Sequence, residues 1–329
     1  MSIIVFVAGA ALLIFSAEKL VVYLVGAAAG LHVSLFLLAI IFTGIEFDDV
    51  ALGIALNVED LGEVALGTVF GTAISMIGIV LALAAIISPT RVDIPRPYLV
   101  LFAAAPLILI PFVAFEALTP FDGVVFVLLF AAFLGYVMSR ELKRTTPVFR
   151  NAEILEAGAP SDSTKPPVPR PMPGWAALGL AVAALAGLVA GAAITGYGSR
   201  GILADFRLQG ALFGATIATL VLTLEDVFLT VEPTRKGAPE LGVGNVIGSV
   251  VFGLTAKLGI ILLAGGGIVV DGDVLSWHLP VLVTMTTLAT CFLWTRRLKR
   301  WHGFLLLALY IAYWALSFAL FGGAPIEPD

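Results

Sequence analysis

The stretch Thr43-Gly44-Ile45-Glu46-Phe47-Asp48-Asp49-Val50 places three carboxylates inside a run that is otherwise uncharged from residue 33 to residue 56. A second stretch, Leu222-Thr223-Leu224-Glu225-Asp226-Val227, places two more inside a run that is otherwise uncharged from residue 210 to residue 231. An acid at membrane depth is costly, and such acids usually face the interior of a helix bundle or an ion path. The two clusters therefore predict an ion path through a membrane protein.

The composition supports a membrane location. Of the 329 residues, 60% are hydrophobic and 12% are charged, whereas about 25% charged is usual for soluble proteins. The charges cluster in breaks between apolar runs of about 20 residues, which is the length of a membrane-spanning helix. The single cysteine, Cys291, excludes an internal disulfide and a cysteine-rich metal site, and three scattered histidines argue against a zinc centre. We therefore expect an all-α, multi-pass protein of the cell membrane.

Breaks rich in proline, glycine and charge divide the chain into ten predicted transmembrane helices. These spans cover residues 3–28, 33–56, 63–88, 97–116, 121–139, 174–197, 209–231, 241–269, 278–295 and 302–321. We interpret the first span as permanent and not as a cleaved signal, because no basic region precedes it. Residues 140–173 are rich in proline, serine and charge, which predicts a flexible cytoplasmic linker. The linker divides the chain into a first five-helix repeat, residues 1–139, and a second, residues 174–329.

The distribution of lysine and arginine predicts the orientation. If the N-terminus lies outside, the inner loops carry fourteen basic residues and the outer loops carry two, Arg200 and Arg207. Ten spans then place the C-terminus outside as well. Because each half has five spans, the second half enters the membrane from the opposite side. This arrangement is an inverted repeat, which is common in transporters.

The two halves also match in sequence at one constant shift, the repeat offset, which carries position 49 onto position 226. The matches include acids and glycines, which coincide by chance less often than apolar residues do in such a chain. The paired positions are Asp48 and Glu225, Asp49 and Asp226, Glu63 and Glu240, Gly67 and Gly244, and Gly71 and Gly248. The distance between the acid cluster and the glycine motif is therefore the same in both halves.

These residues are candidate cation ligands, because hard cations such as Ca²⁺ and Na⁺ prefer oxygen atoms. Asp49 and Asp226 are the expected central ligands, and on a helix Glu46 would lie on the same face as Asp49. The set expected to tune the charge or to carry protons is Glu46, Asp48 and Glu225. The neutral oxygen ligands expected are Thr43, Thr68, Thr72, Thr223, Asn245 and Ser249. Two simpler interpretations remain: the acids reach water from helix ends, and the glycines serve only close helix packing.

Two lysines also fall inside predicted spans. Lys19 follows Glu18 in the first span, and the two side chains are expected to pair with each other or to extend to the inner surface. Lys257 lies in the eighth span and has no acid close to it in the sequence. It is either a structural partner for an acid on another helix or a built-in positive charge that replaces a bound cation.

The acid and glycine motifs, at this spacing and in two sets of five spans, resemble the calcium/cation antiporter superfamily, whose best-known members are sodium/calcium exchangers. Family members carry a G-T-S-x-P-E element followed by G-N-x-x-G-S-N or a variant ending in Asp. The first element aligns with residues 44–49 and 221–226, so the essential Glu of the family falls on Asp49 and Asp226. The second element aligns with Gly67-Thr68-Val69-Phe70-Gly71-Thr72-Ala73 and Gly244-Asn245-Val246-Ile247-Gly248-Ser249-Val250.

The chain departs from the family pattern at several of these positions. The later Asn or Asp ligand of the family falls on Ala73 and Val250, whose side chains cannot coordinate an ion. The helix-breaking Pro becomes Asp48 in the first half and Glu225 in the second. The Ser two residues before that Pro becomes Glu46 in the first half and Thr223 in the second. These changes alter the charge and the number of ligands, and with them the ion selectivity.

The resemblance implies a secondary antiporter that exchanges cations by alternating access, with Ca²⁺ moving against Na⁺ or H⁺. The expected partners are inorganic cations and the lipid bilayer, with no nucleic acid, no enzymatic activity and no soluble cofactor. The oligomeric state stays open. One alternative is a monovalent cation/proton antiporter. Alternatives of another class are a membrane enzyme that uses the acids to hold Mg²⁺ and a phosphorylated lipid, and a scaffold that transports nothing.

Overall fold

In a computed structural model, the chain is mostly helical. The structure describes residues 2–31, 40, 43, 45–58, 62–115, 117–142, 173–206, 223, 226–235, 237–270, 272 and 274–321. The α-helices are α1 (Ser2–Leu31), α2 (Phe47–Val58), α3 (Gly62–Ser75), α4 (Ala82–Ile87), α5 (Arg96–Val113), α6 (Pro120–Leu142), α7 (Gly174–Phe206), α8 (226–235), α9 (Pro239–Phe252), α10 (Leu258–Gly265), α11 (Leu279–Trp294) and α12 (Arg300–Phe321). Within these described ranges, three π-helical segments are π1 (Met76–Leu81), π2 (Gly253–Lys257) and π3 (Val274–His278), and four short strands are β1 (Thr90–Arg91), β2 (Ala117–Leu118), β3 (Ile268–Val269) and β4 (Arg297–Leu298).

The described helices agree with a multi-pass membrane protein. Six described segments are long and apolar enough to cross a bilayer: Ala65–Ile87, Arg96–Val113, Pro120–Arg140, Gly174–Gly191, Pro239–Gly265 and Val274–Trp294. The count of ten spans stays a prediction, because much of the predicted spans 33–56 and 209–231 lies outside the described residues. Most of the predicted linker, residues 143–172, also lies outside them.

Two helix boundaries differ from the predicted spans. Helix α7 continues past residue 197, through Arg200, to Phe206. Its predicted end was set by bilayer thickness, but a helix does not have to stop where it leaves the bilayer. The predicted span 33–56 is interrupted, since residues 45 and 46 are not helical and α2 begins at Phe47. Acidic residues are favoured at such a helix N-terminus, where the helix dipole is positive.

The chain forms two compact units, and each unit combines segments from both halves of the sequence. Unit 1 contains residues 1–43 and 138–245, and unit 2 contains residues 44–137 and 246–329. The units therefore do not coincide with the predicted repeats 1–139 and 174–329, which are defined by sequence similarity and stay a prediction.

In unit 1 the two longest helices, α1 and α7, pack along each other. Small residues form the contact: a Cβ atom built on Gly30 would lie 2.6 Å from the Cα atom of Gly174, and one built on Gly187 would lie 2.7 Å from the Ser16 hydroxyl. Small residues allow helix backbones to approach closely in a membrane. Replacement of Gly30 or Gly174 would therefore force these two helices apart.

Two long interrupted helical segments begin at equivalent positions in the two halves of the chain. Helix α3 begins at Gly62 and π1 at Met76, while α9 begins at Pro239 and π2 at Gly253. Both pairs of starting positions are related by the repeat offset found in the sequence. A π-helical turn widens the helix locally and is often found at functional sites. Lys257 is the last residue of π2.

Two short antiparallel strand pairs connect the loops of unit 2. Strand β1 pairs with β4, with Arg91 opposite Arg297, and strand β2 pairs with β3, with Leu118 opposite Ile268. Between the two arginine-bearing loops, Arg296 forms an ion pair of 3.2 Å with Asp93. One strand pair thus carries basic residues and the other carries apolar ones.

Candidate functional site

The first acid cluster lies at the start of helix α2. The backbone carbonyl of Glu46 accepts a 3.1 Å hydrogen bond from the amide of Val50, although Glu46 itself precedes the helix. Glu46 therefore lies immediately before the helix and not within it. Both carboxylates nevertheless reach the same partner, because a residue just before a helix and one in its first turn lie at the same end. Asp49 is 7% exposed.

That shared partner is Lys257, whose side chain is 0% exposed. Its Nζ atom donates a hydrogen bond to Oδ2 of Asp49 and another, of 3.1 Å, to Oγ1 of Thr72. Oε2 of Glu46 lies 3.8 Å from the same nitrogen. Three of the predicted cation ligands, Glu46, Asp49 and Thr72, thus surround a lysine ammonium group. A buried charge is tolerated when it is paired and hydrogen-bonded in this way.

The threonine hydroxyls of the first glycine motif donate hydrogen bonds to backbone carbonyls of their own helix. The hydroxyl of Thr72 donates a 2.9 Å hydrogen bond to the carbonyl of Thr68, and the hydroxyl of Thr68 donates one of 2.8 Å to the carbonyl of Ala65. A hydroxyl that donates its proton keeps its lone pairs for a cation or another donor. Thr72 uses this capacity to accept the hydrogen bond from Lys257.

In unit 1, Asp226 of the second acid cluster contacts Asn245, which is 0% exposed. Its Nδ2 atom donates hydrogen bonds of 3.2 Å to Oδ1 of Asp226 and to Oγ1 of Thr230. Two predicted ligands, Asp226 and Asn245, are therefore in contact. The sequence interpretation missed Thr230. Its position one helical turn after Asp226 puts both on one helix face, and this was the available signal.

Two buried oxygens on helix α9 could accept a further ligand. Within the described part of the chain, Oδ1 of Asn245 and Oγ of Ser249 have no hydrogen-bond partner. Leaving a buried polar atom unpaired costs about 1–3 kcal/mol. A bound cation would satisfy the amide oxygen of Asn245 beside the Asp226 carboxylate.

The other predicted site residues have these positions. Thr43 and Thr223 are both buried, at 5% and 6% exposed. The Asp48 side chain and all of Glu225 lie outside the described residues. Ala73 and Val250, at the positions of the missing family ligands, are buried apolar residues. Among the residues that the structure describes, there is no group of three or more His, Cys, Asp or Glu side chains suited to a metal.

Asn57 is a further polar residue that the sequence interpretation did not select. Its Nδ2 atom donates hydrogen bonds to the backbone carbonyls of Ile261, at 3.0 Å, and Gly266, at 3.2 Å. These bonds attach the C-terminal end of α2 to Ile261, inside α10, and to Gly266, just after it, and so hold the helix whose first turn carries Asp49. Nothing in the sequence near Asn57 indicates that its partners lie in the other half of the chain.

Comparison with known proteins decides the family. The sequence model of the family described as sodium/calcium exchanger protein matches residues 1–139 and 176–319. The chain belongs to this family. The resemblance inferred from the acid and glycine motifs is thereby confirmed, and this sodium/calcium exchanger family protein is a membrane transporter and not an enzyme.

Named relatives cover most of this exchanger family protein. A putative antiporter, CaxA, of Alkalimonas amylolytica is 25% identical over 324 residues, which is 94% of this chain and 97% of the relative. The sodium/calcium exchanger MaX1 of Methanosarcina acetivorans is 23% identical and covers 85% of this chain and 87% of its own length. A solved structure of the sodium-calcium exchanger NCX_Mj matches with a TM-score of 0.76 at 23% identity, over 95% of this chain and 97% of that one. The structural likeness shows a shared fold.

Proposed function

We propose that this protein is a secondary antiporter that moves Ca²⁺ against Na⁺ or H⁺ by alternating access. The observation that carries the proposal is the pair of acids Asp49 and Asp226, which occupy matching positions in the two repeated motifs and each have a buried or partly buried polar partner. The relatives in Alkalimonas amylolytica and Methanosarcina acetivorans, called an antiporter and a sodium/calcium exchanger, support ion exchange.

In this proposal Asp49 and Asp226 are the central cation ligands. Asn245, which also donates to Thr230, orients Asp226, and the unpaired Oδ1 of Asn245 is available to the ion. Glu46, Asp48 and Glu225 tune the charge or carry protons. The remaining neutral oxygens come from Thr43, Thr68, Thr72, Thr223 and Ser249.

We further propose ten membrane helices in two inverted five-helix repeats. The starts of α3 and α9, and those of π1 and π2, are related by the same repeat offset, which supports this arrangement. The strand pairs support it as well. In chain order, β1 of the first half corresponds to β3 of the second half, and β2 corresponds to β4. The pair β1–β4 is therefore equivalent to the pair β3–β2 when the two halves are exchanged.

The strand pairs also support the proposed orientation, with both termini outside. With ten spans, the loops that carry β1 and β4 fall on the cytoplasmic side, and the loops that carry β2 and β3 fall on the outer side. Arg91 and Arg297 lie in the first pair, whereas the second pair is apolar. This distribution is the one expected from the preference of basic residues for cytoplasmic loops.

Monovalent cation/proton exchange is a second candidate, and the charge beside Asp49 favours it. The carboxylates of Glu46 and Asp49 together carry two negative charges, and the Lys257 ammonium cancels one of them. A site with less negative charge holds a divalent ion less well.

Ion flux in proteoliposomes discriminates among these functions. The purified protein would be reconstituted, and uptake of Ca²⁺, Na⁺ and protons would be followed under imposed Na⁺ and pH gradients. We expect Ca²⁺ uptake that depends on an opposing Na⁺ or proton gradient. Na⁺ flux that depends on a pH gradient, without Ca²⁺ flux, would identify the monovalent exchanger. Absence of all three fluxes would overturn the transport proposal.

A further inference from the structure

The Lys257 ammonium lies among residues that were predicted as cation ligands. Its nitrogen is fully buried and contacts one carboxylate and one hydroxyl oxygen, with a second carboxylate oxygen 3.8 Å away. These three oxygens belong to Glu46, Asp49 and Thr72, which are the residue types that would ligate a hard cation. The ammonium group therefore contacts oxygen atoms of the kind that hold a hard cation.

The position of Lys257 has no counterpart in the other half of the chain. At the repeat offset, Lys257 falls on Val80, which is 0% exposed. Most other candidate ligands fall on oxygen-bearing residues in both halves, including Thr72 with Ser249 and Asp49 with Asp226, although Thr43 falls on Leu220. The positive charge is thus an addition to one half of a repeated motif, and the repeat itself does not require it.

We propose that the Lys257 ammonium is a tethered substitute for one transported cation, so that one cation position beside Asp49 is permanently filled and does not exchange. The proposal rests on the proposed function, because it takes Asp49 to lie at the ion site. The covalent tether fixes the positive charge within the protein. Exchange would then depend on the remaining cation positions, with Asp226 and Asn245 among their candidate ligands.

The test removes the ammonium and asks whether a free cation replaces it. Lys257→Met keeps an unbranched side chain but removes the charge. The full-length variant and the wild-type protein would be purified in lipid nanodiscs, and binding of Ca²⁺ and Na⁺ would be measured by calorimetry. We expect Lys257→Met to bind Ca²⁺ about tenfold more tightly or better, because a like charge next to the ion is gone. Equal affinities in the two folded proteins would overturn the proposal.

Two control variants separate this effect from a general loss of positive charge. Lys19→Met removes the same charge from an exposed position on α1, and it should leave binding unchanged. Asp49→Asn combined with Lys257→Met removes both partners, and it should abolish the gain. A gain of the same size in either control would overturn the proposal.

Stability provides a second readout if Lys257→Met is weakened by its two uncompensated carboxylates. The variant should then be rescued by Ca²⁺ or Na⁺, with a larger rise in Tm than the wild-type protein shows. Failure to recover a folded variant in any of these salts would overturn the proposal, since a free cation should be able to replace the ammonium. If the wild-type protein transports no cation while Lys257→Met gains binding, the proposed function fails, and what stands is that the ammonium fills a cation-binding position. If the wild-type protein exchanges cations while Lys257→Met binds them no better, the proposed function stands and the tethered-cation inference fails.

Discussion

Lys257 donates a hydrogen bond from its buried ammonium group to the carboxylate of Asp49, a residue 208 positions earlier in the chain. The pair connects π2 to the first turn of α2 within unit 2. Removing one partner of a buried ion pair leaves a buried charge without compensation, which costs about 3–5 kcal/mol. Asp49 therefore has a structural role in addition to the proposed role in ion binding.

The two central acids should consequently respond differently to neutralisation. Asp226→Asn should abolish exchange with little loss of stability, because the amide oxygen of the new side chain can still accept the hydrogen bond from Asn245. Asp49→Asn should abolish exchange and also lower stability by up to about 3 kcal/mol, with Glu46 retaining part of the pairing. Ion flux in proteoliposomes and thermal unfolding would be measured for both variants.

Asp93→Asn is the matched control for these substitutions, because this carboxylate is exposed and pairs with Arg296 at the surface. It should change flux and stability very little, since exposed ion pairs contribute about 0–1 kcal/mol. If Asp49→Asn and Asp226→Asn both exchange ions at the wild-type rate, the carboxylates are not the ion site.

Asn57→Ala should destabilise unit 2 by about 1–3 kcal/mol, because it removes two hydrogen bonds from a largely buried side chain. These bonds join the end of α2 to Ile261, inside α10, and to Gly266, just after it. Thermal unfolding in detergent would measure the effect. The neighbouring Val58 is 60% exposed, so Val58→Ala serves as the control and should have a smaller effect. Equal melting temperatures for Asn57→Ala and the wild-type protein would contradict a structural role for Asn57.

The proposed topology predicts where tags are accessible. Tags fused at residue 1 and at residue 329 should be labelled from outside the cell, and a tag inserted at Ser161 should be labelled only after the membrane is permeabilised. The reason is the excess of basic residues in the loops assigned to the cytoplasm. Labelling of the Ser161 tag in intact cells would invert the proposed orientation.

Deletion of residues 157–167 should leave folding and transport nearly unchanged. This stretch is rich in proline, serine and small residues, and it has too few large apolar side chains to form a core. The yield of monodisperse protein and the flux in proteoliposomes would be compared with those of the full-length chain. Loss of folded protein would assign a structural function to the segment.

The sequence by itself determined the class of the protein and the positions of its acids. Apolar runs of spanning length require membrane helices, because the backbone must satisfy its own hydrogen bonds in lipid. The acids and glycines that match at the repeat offset were sufficient for the family, and the later agreement of helix starts follows the same offset. These features are local or repeated, so they can be recognised without knowledge of the packing.

Only the tertiary structure decided which polar groups meet. Asp49 with Lys257, and Asn57 with Ile261, are pairs whose members come from opposite halves of the chain. Such pairs depend on which helix faces pack together, and neither hydropathy nor spacing specifies that. The interruption of the second span before Phe47 also became visible only in the structure, because the segment is uniformly apolar around its acids. The role of Lys257 could not be chosen from sequence for the same reason: its partner lies on a helix from the other half of the chain.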